Sequence, residues 1–156
     1  MYREVARIQQ RLTEEDCKSI LKESQRGVLS VITEDGYPYG MPMNHYFDEE
    51  ENVIYFHGGR HGHKIDSLRK NPSVSYCVFK QVESEEWYYK FQSVIVFGNV
   101  AFIEDEEKAL EISRKVSYKF TNDTSYIEEE IKKDGKAVLC FAIHIEHMTG
   151  KSVNEK

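Results

Sequence analysis

Eight consecutive residues, His57-Gly58-Gly59-Arg60-His61-Gly62-His63-Lys64, concentrate the groups best suited to chemistry. From His57 to Lys70, four cations (Arg60, Lys64, Arg69 and Lys70) are set against one carboxylate, Asp66, in a chain whose net charge is −6. Glycines let backbone amides approach a ligand closely. A helix opening near His63 would aim free N–H groups at an anion, and Lys64 would add a formal charge there. The run reads as a phosphate site; its alternative is an ordinary hairpin-to-helix loop with solvated charges. No Gly-Lys-Ser/Thr follows, so a P-loop and nucleotide hydrolysis are unsupported. No βαβ unit surrounds it, so it is not a dinucleotide fingerprint.

Other constellations are weaker. His57, His61 and His63 are close together, but no Cys or carboxylate stands beside them at ligand spacing, and each suits phosphate hydrogen bonding equally. His144 and His147 are three apart in an extended run and are expected on opposite faces. No Ser/His/Asp or Cys/His triad can be argued. Glu83, Glu85 and Glu86, like Glu128 to Glu130, read as solvated acidic faces. Tyr37, Tyr39, Tyr46, Trp87, Tyr88 and Tyr89 suit stacking on a planar ligand, although packing is the commoner role.

Composition bounds the scaffold that positions these groups. A chain of 156 residues favours one domain, here residues 1–156, and folding should remove roughly 70% of its unfolded surface. Hydrophobic residues at 40% and aromatics at 12% exclude wholesale disorder. The acidic balance argues against general nucleic-acid binding and against anionic membrane surfaces. No run of 18 apolar residues occurs and no signal-peptide h-region opens the chain. Cys17, Cys77 and Cys140 form no CxxC pair and predict reduced core thiols in a cytoplasmic protein.

Periodicity then places the elements. Thr13 caps a helix with the apolar stripe Cys17, Ile20 and Leu21, and Gly27 suits its left-handed stop. Period two predicts strands at Val28–Thr33, Tyr37–Phe47 and Val53–His57. Pro38 and Pro42 remove two ladder donors from the second, which places it at an edge or a bulge, or beside something other than a strand. A short helix spans His63–Lys70, Ser73–Lys80 is a strand and Trp87–Phe91 a further short one. Ser93–Ile103 is apolar on both faces and so requires cover on both, from a helix or a partner chain. Helices capped by Asp105 and near Ser125–Lys133 precede a last strand, Ala137–His147. Runs of strands with few helices predict a mainly β fold: a six- to seven-stranded antiparallel barrel with flanking helices.

Several spaced motifs resemble one family. They are Gly27-Val28-Leu29, Asp35-Gly36-Tyr37-Pro38-Tyr39, Pro42-Met43-Asn44, Ile54-Tyr55-Phe56-His57, Gly62-His63-Lys64, Asn71-Pro72-Ser73-Val74, Gln92-Ser93-Val94-Ile95-Val96-Phe97-Gly98 and Met148-Thr149-Gly150-Lys151. Together, in order over nearly the whole chain, they resemble the FMN-binding split-barrel family. Within it they are most similar to the pyridoxamine 5′-phosphate oxidase-like proteins of the 5-nitroimidazole-resistance type. The resemblance implies a homodimeric split β-barrel with two flavin sites at the interface, each built from both chains. FMN is the implied cofactor, with FAD an option.

By the same resemblance, Met43 and Asn44 would lie along the isoalloxazine, and Phe56, His57 and Gly58 would follow its edge and the ribityl chain. His63 and Lys64 would hold the phosphate, and Ser93 and Val94 would contact the ring system. The implied activity is reduction of nitroaromatic or other small electrophilic substrates, with His57 and His45 as candidate proton sources. The alternative is a non-catalytic flavin- or haem-binding protein of storage or stress response. The oxidase proper carries Arg-Lys where this chain has His63-Lys64, and its carboxy-terminal substrate-binding Arg and Trp pattern has no counterpart here. Oxidation of pyridoxamine phosphate is therefore not among the expectations.

Overall fold

The structure, a computed structural model, describes residues 1–82 and 89–155. Seven antiparallel strands make one sheet: β1 (Arg26–Ile32), β2 (Pro38–Asn44), β3 (Tyr46–Asp48), β4 (Val53–Gly59), β5 (Ser73–Gln81), β6 (Tyr89–Phe102) and β7 (Val138–Glu155). Their order is β2-β1-β5-β6-β7-β4-β3. Helices α1 (Glu14–Glu23), α2 (His63–Lys70), α3 (Glu106–Tyr118) and α4 (Thr124–Asp134) flank it. The two end strands, β2 and β3, are joined through the single residue His45, so the sheet curls until its ends meet. The result is a split barrel. β2 lies at an edge, one of the placements that its two prolines allow.

Local signals set most boundaries. The Thr13 hydroxyl accepts from the Asp16 amide at 3.1 Å, and the Asp16 carboxylate reaches back to Thr13, a capping box at the start of α1. Leu29 and Val31 of β1, Ile54 and Phe56 of β4, Tyr76 and Val78 of β5, Val94 and Val96 of β6 and Phe141 and Ile143 of β7 fill the interior. Cys17, Ile20 and Leu21 of α1 and Ile65 and Leu68 of α2 pack against them. A second, smaller core sets Ile112 and Val116 of α3 against Val53, Tyr55, Cys140 and Ala142.

Four expectations change. Gly27 does not stop α1, which ends at Glu23 with Ser24 as its cap. Gly27 lies inside β1, where a Cβ would fall 2.4 Å from the Cys77 carbonyl oxygen, so the position needs close approach and not a left-handed turn. The segment Tyr37–Phe47 is two strands, broken at His45. The last strand runs on to Glu155, past a β-bulge opposite Phe97 and Gly98. There Phe97 pairs with His147 and Gly98 with Ile145, leaving Glu146 as the extra residue. The bulge puts His144 and His147 on one face, since their partners Asn99 and Phe97 are two apart.

Of the segment expected at Trp87–Phe91, Trp87 and Tyr88 lie outside the described residues, as do Glu83, Glu85 and Glu86; the rest begins β6. Cover for β6 is uneven. Around Ala101 and Ile103 the outer face lies under α3. Toward its start, Phe91, Ile95 and Phe97 remain exposed, in one surface with Val28 and Ile32 of β1 and Phe79 of β5. Cys77, in the same row as Val28 and Ile95, is half-buried on that face, while Cys17 and Cys140 are buried; all three thiols are free. Among the described residues no helix is long and apolar enough to cross a membrane.

Gly27→Ala should destabilise the fold by about 3 kcal/mol, because a backbone carbonyl cannot yield to the added methyl. Gly59→Ala, where a Cβ meets nothing within 4 Å, is the control; chemical denaturation of both variants checks the contrast.

Candidate functional site

The split has two open backbone edges. β2 pairs only with β1, and Phe56–Gly59 of β4 pair only with β7, because β3 stops opposite Tyr55. Lys64 sits between these edges. Its Nζ lies 3.4 Å from Met43 Sδ of β2, 3.4 Å from where a Cβ on Gly58 of β4 would stand, and 5.9 Å from the centre of the Phe141 ring. The side chain is half-buried and, among the described residues, forms no ion pair; burial alone lowers its pKa. An uncompensated, partly desolvated ammonium favours an incoming anion.

The helix opening adds to this. Gly62 stands at φ 118°, which suits glycine, and its carbonyl accepts from both Ile65 and Asp66. The amides of His63 and Lys64 are left at the open end of α2. His63 is exposed, its ring 5.0 Å from that of Tyr39 on β2. Asn44 accepts from Arg26 Nε at 3.2 Å across the β1–β2 pair. Met43, Gly58 and Lys64 therefore meet directly, with Asn44 and His63 flanking them.

The other expected residues are placed differently. Phe56 is fully buried, stacked on Phe141 and edge-on to Tyr76. His57 projects from the opposite face of β4, where it lines a cavity of about 210 Å³ with Ser117, Ile127 and Ile131; burial and the Lys64 charge lower its pKa. Val94 has its side chain in the core. Ser93 is half-buried on the exposed outer face, paired with Phe79 and Lys151. Arg60, a possible aid to Lys64, is turned to the Lys136 carbonyl, to which its Nε donates at 3.0 Å. Tyr46 lies under Lys115, whose Nζ is 5.3 Å from the ring centre. His57, His61 and His63 form no metal-ligand cluster among the described residues.

His45 has a structural task that its type and spacing did not suggest. It is fully buried at the break between β2 and β3, with Nε2 2.7 Å from the Leu21 carbonyl and Nδ1 2.7 Å from the Tyr76 hydroxyl. A carbonyl only accepts, so Nε2 carries the proton and Nδ1 accepts from Tyr76. The same hydroxyl lies 3.1 Å from the Met43 carbonyl. Lys119 Nζ donates to the carbonyls of His45 (2.9 Å) and Ser24 (2.5 Å). Burial first, then the Lys119 charge, holds the His45 pKa down to about 4. With both nitrogens engaged, His45 braces the strand carrying Met43 and is no proton source. No local signal marks it, because His45 falls inside the single strand expected at Tyr37–Phe47 and its partners lie 24 and 31 residues away.

Seven antiparallel strands curled into a barrel, with an ammonium in the split, define a split-barrel protein. The family profile described as pyridoxamine 5′-phosphate oxidase matches residues 13–152, and the chain belongs to that family. A candidate 5-nitroimidazole antibiotic resistance protein from Bacteroides thetaiotaomicron has a similar fold (TM-score 0.76, 21% identity, covering 91% of this chain and 86% of that one). So has an FAD-binding protein from Mesorhizobium loti (0.70, 21%, 92% and 97%). An FAD- and haem-binding protein from Mycobacterium smegmatis follows (0.73, 17%, 91% and 72%). Among curated proteins none matches the sequence significantly.

The unfolded chain takes up a proton at His45 near pH 6.5 that the folded chain refuses until about pH 4. This contribution to stability is therefore present above pH 6.5 and is lost as the pH falls toward 4, by roughly 2 kcal/mol between pH 7 and pH 5. Urea unfolding at both pH values should show that loss in the wild type and a smaller one in His45→Asn.

Proposed function

We propose that this chain is an FMN- or FAD-dependent oxidoreductase of small electrophilic substrates, with nitroaromatics as the leading class. The observation that carries the reading is Lys64: half-buried, without an ion pair among the described residues, at the mouth of a helix, between two open strand edges. A flavin phosphate supplies the missing negative charge, and the residues present fit it. Lys64 donates to that phosphate, the free amides of His63 and Lys64 add neutral donors, and Gly58 leaves the room that the lysine occupies. Bound there, a flavin supplies electron transfer to an acceptor. Met43 and Asn44, on the edge strand braced by Tyr76, would orient the ring system and exclude water from one side of it.

In this reading the active form is a homodimer. The exposed surface of Val28, Ile32, Phe79, Phe91, Ile95 and Phe97 is the kind of contiguous apolar area that a second copy covers. Ser93 lies within it, and so reaches a flavin held by the partner copy. Val94 would contribute only through its backbone.

A second reading is a flavin- or haem-binding protein without turnover. It is favoured by where the two candidate proton sources lie: His45 is sealed in the core and His57 projects from the other face of β4.

Flavin titration of the purified chain, followed by NADH or NADPH, separates these: a stoichiometric complex that the nicotinamide bleaches and a nitroimidazole reoxidises supports the enzyme, and a complex that nothing reduces supports the binder. Lys64→Ala should weaken FMN by about 1.5–3 kcal/mol, the range for a charge-assisted hydrogen bond, and leave riboflavin unchanged. Equal losses for both ligands would place Lys64 in folding. Ile95→Asp should yield monomers by light scattering and lose flavin with them; a flavin-loaded monomer would refute the interface.

A further inference from the structure

Beside the split, where β4 and α2 meet the start of β7, lies a cavity of about 340 Å³, a size found among small-molecule sites. Arg60, Arg69 and Lys136 stand around it, over an apolar floor of Ile103, Val138 and Leu139. Leu139 and Val138 pair with Gly58 and Gly59, so two of the lining residues lie one strand away from the glycine nearest Lys64. The two regions also share an aromatic pair. Lys64 Nζ is 5.9 Å from the Phe141 ring centre and the Arg69 guanidinium 4.8 Å from that of Phe102, and the two centres are 6.2 Å apart.

These cations differ from many others on the chain. Lys18, Lys22, Lys70, Lys80, Lys108, Arg114 and Lys115 each pair with a carboxylate. Arg60, Arg69 and Lys136 enter no ion pair among the described residues, although Glu104 and Glu106 line the same cavity. Positive charge is held there over an apolar floor, one step from a site that favours a phosphate.

We propose that this cavity binds the adenosine monophosphate end of a flavin dinucleotide, beyond the flavin phosphate at Lys64, which makes FAD the preferred ligand over FMN. The inference rests on the flavin reading above and extends it. The second phosphate meets Arg69 and Arg60, whose Nε is already fixed on the Lys136 carbonyl. The flat base covers Ile103, Val138 and Leu139, and the carboxylates of Glu104 and Glu106 accept from ribose hydroxyls.

Calorimetric titration of the full chain with FMN, FAD and AMP tests this. FAD should bind about tenfold more tightly than FMN, and Arg69→Ala should abolish that advantage while leaving FMN within about twofold. Lys136→Glu, which does not touch the aromatic pair, should reproduce the effect, and AMP should compete with FAD but not with FMN. Equal affinities for FMN and FAD in the wild type, or parallel losses of both in the variants, would overturn the proposal while leaving the flavin reading intact. Failure of both flavins to bind defeats the flavin reading; AMP binding that Arg69→Ala then removes would keep the cavity as a nucleotide site, and no AMP binding would end that assignment too.

Discussion

One lysine ammonium, drawn partly out of water and answered by no carboxylate among the described residues, is the constraint around which this barrel is arranged. Such a charge costs free energy in the ligand-free fold. The surroundings soften the cost without cancelling it: the polarizable Met43 sulfur lies against Nζ, Phe141 presents its ring, and Gly58 withholds a side chain. None of these is anionic. Among the described residues no carboxylate supplies the compensation, and the charge lies where β2 and the end of β4 present edges that no further described strand pairs.

Holding that gap at a fixed width is the work of the rest of the fold. A sheet that curls on itself would pair β2 with β4 if nothing intervened, and a sealed barrel would have no site. α2 intervenes physically, anchored by buried Ile65 and Leu68. His45 intervenes at the corner, tied to the end of α1 through Leu21 and to β5 through Tyr76, with Lys119 fastening its carbonyl from the end of α3. The strand bearing Met43 is thereby braced from the core side and left open on the other.

Much of the architecture was legible because it depends on neighbours in the chain. The Thr13 cap, the Asp105 cap on Lys108, and the bounds of α2 follow from spacings of three and four. The edge position of β2 is one of the placements that its two prolines allow. Errors gathered where distant chain segments decide. Gly27 reads as a helix stop until the Cys77 carbonyl is seen pressed against it, and the two C-terminal histidines read as opposed until the Glu146 bulge turns them to one side. In the site, the run from Gly58 to Lys64 announced its charge, but its alternation could not reveal that Phe56 belongs to the core and that His57 projects from the other face of its strand.

What the amino-acid order determined alone was a basic, glycine-bearing hairpin exit in an acidic chain, mainly β structure around it, and a resemblance spread over many short motifs. Only tertiary structure decided that Lys64 has no counter-charge among the described residues, that His45 is a brace, and that Arg69 stands over the ring beside the one Lys64 approaches. The reason is physical: caps, turns and periodicity are local in sequence, whereas desolvation and charge pairing depend on which distant residues the closed sheet brings together.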